Sequence, residues 1–220
     1  MKVNELRQLY KEKRKEIRKK LVEFRRNLEA PEKRIFYELI FCLLTPQSNA
    51  EVCDKVAKEL EEKDLIFKLD NPRLKELLER KLKKRGIRFW RRKVENILRA
   101  KQIFLKDERL RIKGYLKSFA NAFELRDSLV RDVRGIGFKE ASHFIRNVGF
   151  DYEHQLAILD RHILKSLQEL RVIEEVPRSL SKRKYLEIEE AMRKLAKEVG
   201  IGMYELDMLL WCLKTGKILR

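Results

Sequence analysis

Along almost the whole 220-residue chain, apolar side chains recur three or four positions apart, and only 8 Gly and 4 Pro interrupt them. That spacing gives a helix one apolar face and fits no half-buried strand, whose faces alternate every second residue. An all-α fold is therefore expected. Val3, Leu6, Tyr10, Ile17, Leu21, Phe24 and Leu28 form one long stripe that Pro31 ends. Further helices are expected over 32–44, 50–61, 72–83, 90–104, 114–122, 139–147, 156–170, 185–199 and 203–215. Gly86 and Gly114 read as breaks, Gly149 as a C-cap, and Thr45-Pro46-Gln47-Ser48-Asn49 as a polar, exposed turn. No internal repeat or low-complexity tract is evident.

The exposed faces of such helices must carry the charge. Lys and Arg number 53 against 35 Asp and Glu, a net charge of +18. That excess favours a polyanionic partner, with nucleic acid foremost. No segment is apolar enough to span a bilayer and no signal peptide leads the chain, so a soluble cytoplasmic protein working at the nucleoid, without a membrane partner, is expected. Cys42, Cys53 and Cys212 lack the spacing of zinc, iron-sulfur or haem ligands, and His143, His154 and His162 lack that of a zinc helix. Reduced, structural thiols and no cofactor follow.

Between 127–132 and the helix from 139 lies Val133-Arg134-Gly135-Ile136-Gly137-Phe138-Lys139-Glu140-Ala141. Gly135 and Gly137 permit a tight hairpin that can approach another surface closely. The free amides of the next helix, with its dipole behind them, would suit a phosphate. A glycine pair alone is more often a plain interhelical turn with no ligand. The whole string, however, resembles the helix-hairpin-helix of the base-excision DNA glycosylases, with Val133 and Arg134 where Leu and Pro are usual. Leu159-Asp160-Arg161-His162-Ile163 resembles the aspartate segment that follows in that superfamily. Leu43-Leu44-Thr45-Pro46-Gln47-Ser48-Asn49-Ala50 looks like its helix-turn segment, whose polar residues fill the gap left by a flipped base. The iron-sulfur loop of the endonuclease III branch is absent. With the short length and the segment from Glu205 to Lys217, the chain most closely resembles the archaeal-type (type 2) 8-oxoguanine DNA glycosylase/AP lyases.

That resemblance implies two helical subdomains flanking a catalytic cleft: residues 34–152, carrying the hairpin at 133–139, and residues 1–33 with 153–220. It implies Lys139 as the nucleophile and Asp160 as the carboxylate that stabilises the sugar cation and helps accept the lysine's proton. A lysine nucleophile must be deprotonated, and a helix start in a cleft disfavours its ammonium form. Read without the resemblance, Lys139 is a surface lysine and Asp160 an N-cap. The expected reaction excises 8-oxoguanine and nicks the abasic site by β-elimination through a Schiff base. The partner is double-stranded DNA containing 8-oxoguanine or abasic sites, bound by a monomer.

Damaged bases are read in a pocket after leaving the stack. Asp207 and Trp211 share one face of the last helix and are expected there, although spacing alone equally suits a core Trp and a surface Asp. Arg220 stands where the family commonly ends in lysine, which conserves charge and changes geometry. Phe89 and Trp90, among Arg88, Arg91, Arg92 and Lys93, fit a stacking ring, a core ring and phosphate contacts. Gln47, Ser48, Asn49, Arg134, Gly135 and Gly137 are expected at DNA. A monovalent cation at the main-chain carbonyls of Arg131, Val133 and Ile136 is a further implication. Two rivals remain open: a non-catalytic helix-hairpin-helix DNA-binding module, and an endonuclease III-like glycosylase for oxidised pyrimidines.

Overall fold

The computed structural model describes residues 3–151, 153 and 155–218. In chain order the helices are α1 (Val3–Arg26), α2 (Glu32–Leu44), α3 (Ala50–Glu62), α4 (Leu65–Lys68), α5 (Asn71–Lys84) and α6 (Trp90–Phe104). After a two-strand ribbon, β1 (Leu105–Lys106) and β2 (Arg109–Leu110), come α7 (Ile112–Lys117), α8 (Ala122–Asp132), α9 (Phe138–Asn147), α10 (Arg161–Glu169), α11 (Lys182–Val199) and α12 (Met203–Thr215). The fold is all-α; the antiparallel ribbon pairs Leu105 with Leu110 and Lys106 with Arg109.

Contacts divide the chain into two compact units, Asn27–Phe144 and Met1–Arg26 with Ile145–Arg220, the division falling inside α9. Each is organised around one helix that is apolar nearly all round, as a helix covered on every side must be. In the first, α2 buries Ile35 through Leu44 without interruption and packs against α3, α6 and α7. In the second, α12 buries Leu206, Met208, Leu209 and Leu210 and is covered by α1, α10 and α11. The stripe read along α1 is the buried one: Leu6, Tyr10, Ile17, Leu21 and Phe24 all face inward. Its lysines and arginines between 11 and 19 stay exposed. Among the described residues no helix is long and apolar enough to cross a membrane.

Local chemistry sets the helix ends. Asn49, Asp70, Asn121, Asp160 and Ser181 each accept an N–H of the first turn they cap. At Gly149, with φ +72°, a Cβ would stand 2.6 Å from the Phe24 carbonyl and the Arg25 Cα, so only glycine lets residues 24–25 pack there.

Three expectations need correction. Gly114 does not break a helix but sits within α7, and the break falls at residues 118–121. The segment 156–160 is irregular, not helical, and the Asp160 N–H turns back onto the Ile158 carbonyl at 2.8 Å. Its backbone is claimed by α11, where Glu189 accepts the Ala157 N–H at 2.8 Å and the Tyr185 hydroxyl donates to the Ala157 carbonyl at 2.6 Å. The turn at 45–49 is not uniformly exposed, because Thr45 is buried and its hydroxyl donates to the Cys42 carbonyl.

Candidate active site

The hairpin follows from the glycines as expected. Gly135 has φ +92°, and a Cβ on it would collide with the Asn96 amide of α6. Both its backbone and its neighbour therefore require glycine. The turn closes with the Ile136 N–H on the Val133 carbonyl at 3.2 Å, and α9 begins at Phe138. Arg134 is exposed at the hairpin surface. Among the described residues no cluster of His, Cys, Asp and Glu could hold a metal.

Lys139 lies in the first turn of α9, its side chain 23% exposed, with Nζ 2.9 Å from the Glu140 carboxylate. Glu140 also accepts the Gly137 N–H at 3.3 Å. One amide of the helix start is thus already taken from within, where the sequence led us to expect free donors. Behind the helix start, the buried Arg126 guanidinium lies 5.0 Å from the Phe138 ring centre and 3.3 Å from the Ser142 hydroxyl. Lys139 is thus ion-paired to Glu140, and its charge in turn acts on two groups further in, Lys93 and Cys53.

Lys93 is the largest departure from the sequence reading. It was expected beside Arg91 and Arg92 at phosphate, and instead it is buried, 4% exposed. Its Nζ donates to the carbonyls of Leu44 (2.6 Å) and Pro46 (2.8 Å) and to the Ser48 hydroxyl (2.8 Å). Burial pulls this amine down to about 8. Burial likewise pushes the Cys53 thiol, which donates to the Leu44 carbonyl, up to about 11. On the surface side, Phe89 is exposed with φ +55°, and Arg88 lies over its ring. Trp90 is half-buried, with Arg91 4.8 Å from its ring centre.

Asp160 and the last helix belong to the other unit. Asp160 caps α10 through Oδ1, which accepts the Ile163 N–H at 2.8 Å, while Oδ2 accepts the Trp211 indole N–H at 3.1 Å. The His162 ring meets Trp211 edge-on, with centroids 6.3 Å apart. Trp211 thus points at the aspartate. Asp207 takes the inner face of the same helix: it is 3% exposed and its Oδ2 accepts from Arg146 at 2.7 Å. Burial pushes this carboxyl up to about 7, against the opposing pull of Arg146 and with the charge of Asp160 adding to the rise. Arg220 and His154 lie outside the described residues.

A glycine hairpin between two helices, with a half-buried lysine in the first turn behind it, defines a helix-hairpin-helix protein. A family model described as 8-oxoguanine DNA glycosylase matches residues 17–201. An 8-oxoguanine DNA glycosylase/AP lyase of Methanocaldococcus jannaschii is 43% identical over 204 residues, covering 93% of this chain and 91% of the relative. One of Fusobacterium nucleatum is 38% identical over 218 residues, covering 99% and 97%. The crystal structure of the M. jannaschii 8-oxoguanine glycosylase/lyase in complex with a 15mer DNA containing 8-oxoguanine superposes with a TM-score of 0.87 at 40% identity, covering 99% of both chains. The chain belongs to the 8-oxoguanine DNA glycosylase family.

Proposed function

We propose that this protein is a bifunctional DNA repair enzyme that excises 8-oxoguanine from double-stranded DNA and then cuts the abasic strand. The observation that carries it is Lys139: an amine in the first turn behind the glycine hairpin, in a chain of this family. The neutral amine attacks the sugar C1′ as the C1′–N9 bond breaks and its electrons leave with the base, which is protonated. Opening of the sugar ring gives a Schiff base between Nζ and C1′. Loss of a C2′ proton then expels the 3′ phosphate, and hydrolysis frees the lysine.

Asp160 supplies negative charge to the sugar cation of the first step. Its two oxygens are fixed by Ile163 and Trp211, so the charge is oriented in advance. Trp211 and Phe89 offer rings for an extruded base, with Arg220 as a polar element of its recognition, while Asp207, buried against Arg146, supports the helix that carries Trp211. Gln47, Ser48, Asn49, Arg134 and the hairpin glycines meet the DNA. A monovalent cation on the Arg131, Val133 and Ile136 carbonyls would add positive charge at a phosphate. The enzyme acts as a monomer, in the cytoplasm at the nucleoid.

Both rivals fit less well. A binding module gives Lys139 and Asp160 no shared purpose, and the pyrimidine-directed branch is not the family matched. Borohydride trapping on duplex DNA with one 8-oxoguanine tests the reading directly. A covalent adduct is expected with the wild-type chain, none with Lys139→Gln, and none on undamaged guanine. Tight binding of the lesion without an adduct would overturn it.

A further inference from the structure

The turn 45–49 has most of its polar groups tied inward. Thr45 donates to the Cys42 carbonyl, Ser48 accepts the Arg88 N–H at 3.1 Å, and Asn49 accepts the Val52 N–H at 3.1 Å. Gln47 differs. It is exposed at the apex and held at φ +52°, a conformation that is strained for a non-glycine residue and persists only where surroundings enforce it. The enforcing group is Lys93 Nζ, whose three N–H donors match three acceptors, at Leu44, Pro46 and Ser48, that bracket Gln47 on both sides.

We infer that Lys93 is a positioning residue for lesion engagement: its buried ammonium is the strut that holds the 45–49 turn in shape and presents Gln47 to the DNA. The inference rests on the function proposed above and adds a residue, and a condition, to it. All three acceptors are filled only by the ammonium, because a neutral amine has two N–H donors. The neutral amine can meet Ser48 only by accepting from its hydroxyl, and its bonds to Leu44 and Pro46 lose their charge assistance, so the strut is at full strength only while Lys93 carries its proton.

The charged and titratable groups facing Lys93 are Cys53 from α3, Lys139 and Glu140 from α9, and Arg88 from the segment before α6. Desolvation is the dominant influence and pulls the amine down to about 8; Lys139 and Arg88 act in the same direction, and Cys53 and Glu140 oppose them. The proton therefore leaves within a range where duplex DNA is intact, and engagement should weaken as the pH climbs past about 8.

The test reads base-pair opening apart from chemistry. The wild-type chain, with Lys139 intact, is mixed with a duplex whose single 8-oxoguanosine carries a 2′-fluorine, which resists loss of the base. A 2-aminopurine beside the lesion reports unstacking by its fluorescence. The wild-type signal should fall severalfold between pH 7 and 9. Lys93→Met should give a signal about tenfold lower that is flat with pH, and Lys93→Arg, which keeps its charge throughout, should recover part of it without the fall. Ser48→Ala, losing one acceptor, should lie between and keep the limb. Circular dichroism and melting establish that each variant is folded.

A wild-type signal unchanged from pH 7 to 9 overturns the inference. So does a folded Lys93→Met variant with the full signal, or one that retains the limb. A lack of borohydride adduct on ordinary 8-oxoguanine DNA would instead strike the enzymatic reading while leaving the fluorescence limb, and hence the strut, standing.

Discussion

Lys93 in the 27–144 unit and Asp207 in the other are both sealed from water, yet their surroundings differ in kind. Lys93 spends all its donors on neutral oxygens, while Asp207 faces a guanidinium 2.7 Å away. Dipoles hold the first charge and a counter-ion holds the second. Both carry a desolvation cost, seen as a lysine pulled down to about 8 and a carboxyl pushed up to about 7. The lesson is that a buried charge can be fixed by geometry as well as by an opposite charge, and the two arrangements fail differently.

The largest effect should come from removing the counter-ion. Arg146→Met leaves Asp207 buried without its partner and should destabilise the protein by about 3–5 kcal/mol, read as a lowered urea midpoint. Equal midpoints for variant and wild type would erase the contrast.

The next effect separates the two charges by pH. The folded chain holds the Lys93 proton less tightly than the unfolded chain, whose lysine titrates near 10.5, so stability should rise as the pH goes from about 8 to about 10.5. The gain is on the order of 3 kcal/mol and should vanish in Lys93→Met. For Asp207 the sign reverses. Its folded value near 7 lies above the unfolded 3.8, so stability is lost as the pH rises from about 4 to about 7. Asp207→Asn should therefore gain on the wild type across that range, in urea melts run in parallel. Both penalties are in full force between about pH 7 and 8.

Smaller still is the coupling between Lys93 and its neighbour Lys139. Because the Lys139 charge helps lower Lys93, Lys139→Gln should move the Lys93 limb to higher pH, measured by the same unstacking signal. The smallest change is Asn49→Ala, which removes one helix cap at a cost of about 1 kcal/mol in thermal or urea melts.

Much of the fold was legible because helix spacing is local. The bounds read for α2, α6 and α12 coincide with those observed. The run at 156–159 was not, since its apolar side chains suit a helix or a buried extended strand alike. Tyr185 and Glu189, distant in sequence, decide the matter by binding its backbone. The hairpin glycines and Lys139 carry a local pattern and could be picked out. Lys93 had a signal that went unread: it stands in phase with Ile97, Ala100 and Phe104 on the apolar stripe of α6, where a solvated lysine does not belong. Glu140 had one too, three residues after Gly137, the spacing at which a helix-start side chain reaches back to an amide.

The compact unit of α1 with residues 145–220 has a consequence for the time course of synthesis. On a ribosome, α1 emerges first, and the helices that cover its apolar stripe emerge last. At roughly 5–20 residues per second, the intervening stretch of about 120 residues takes on the order of 6–24 s to make. Only at the end of that interval does the 27–144 unit have its whole sequence available, and all the while the first helix waits with Leu6, Ile17 and Phe24 uncovered. Its dense lysines and arginines then act as a solubility tag for a nascent chain, keeping like copies apart by repulsion until the last-made segments arrive to close over it.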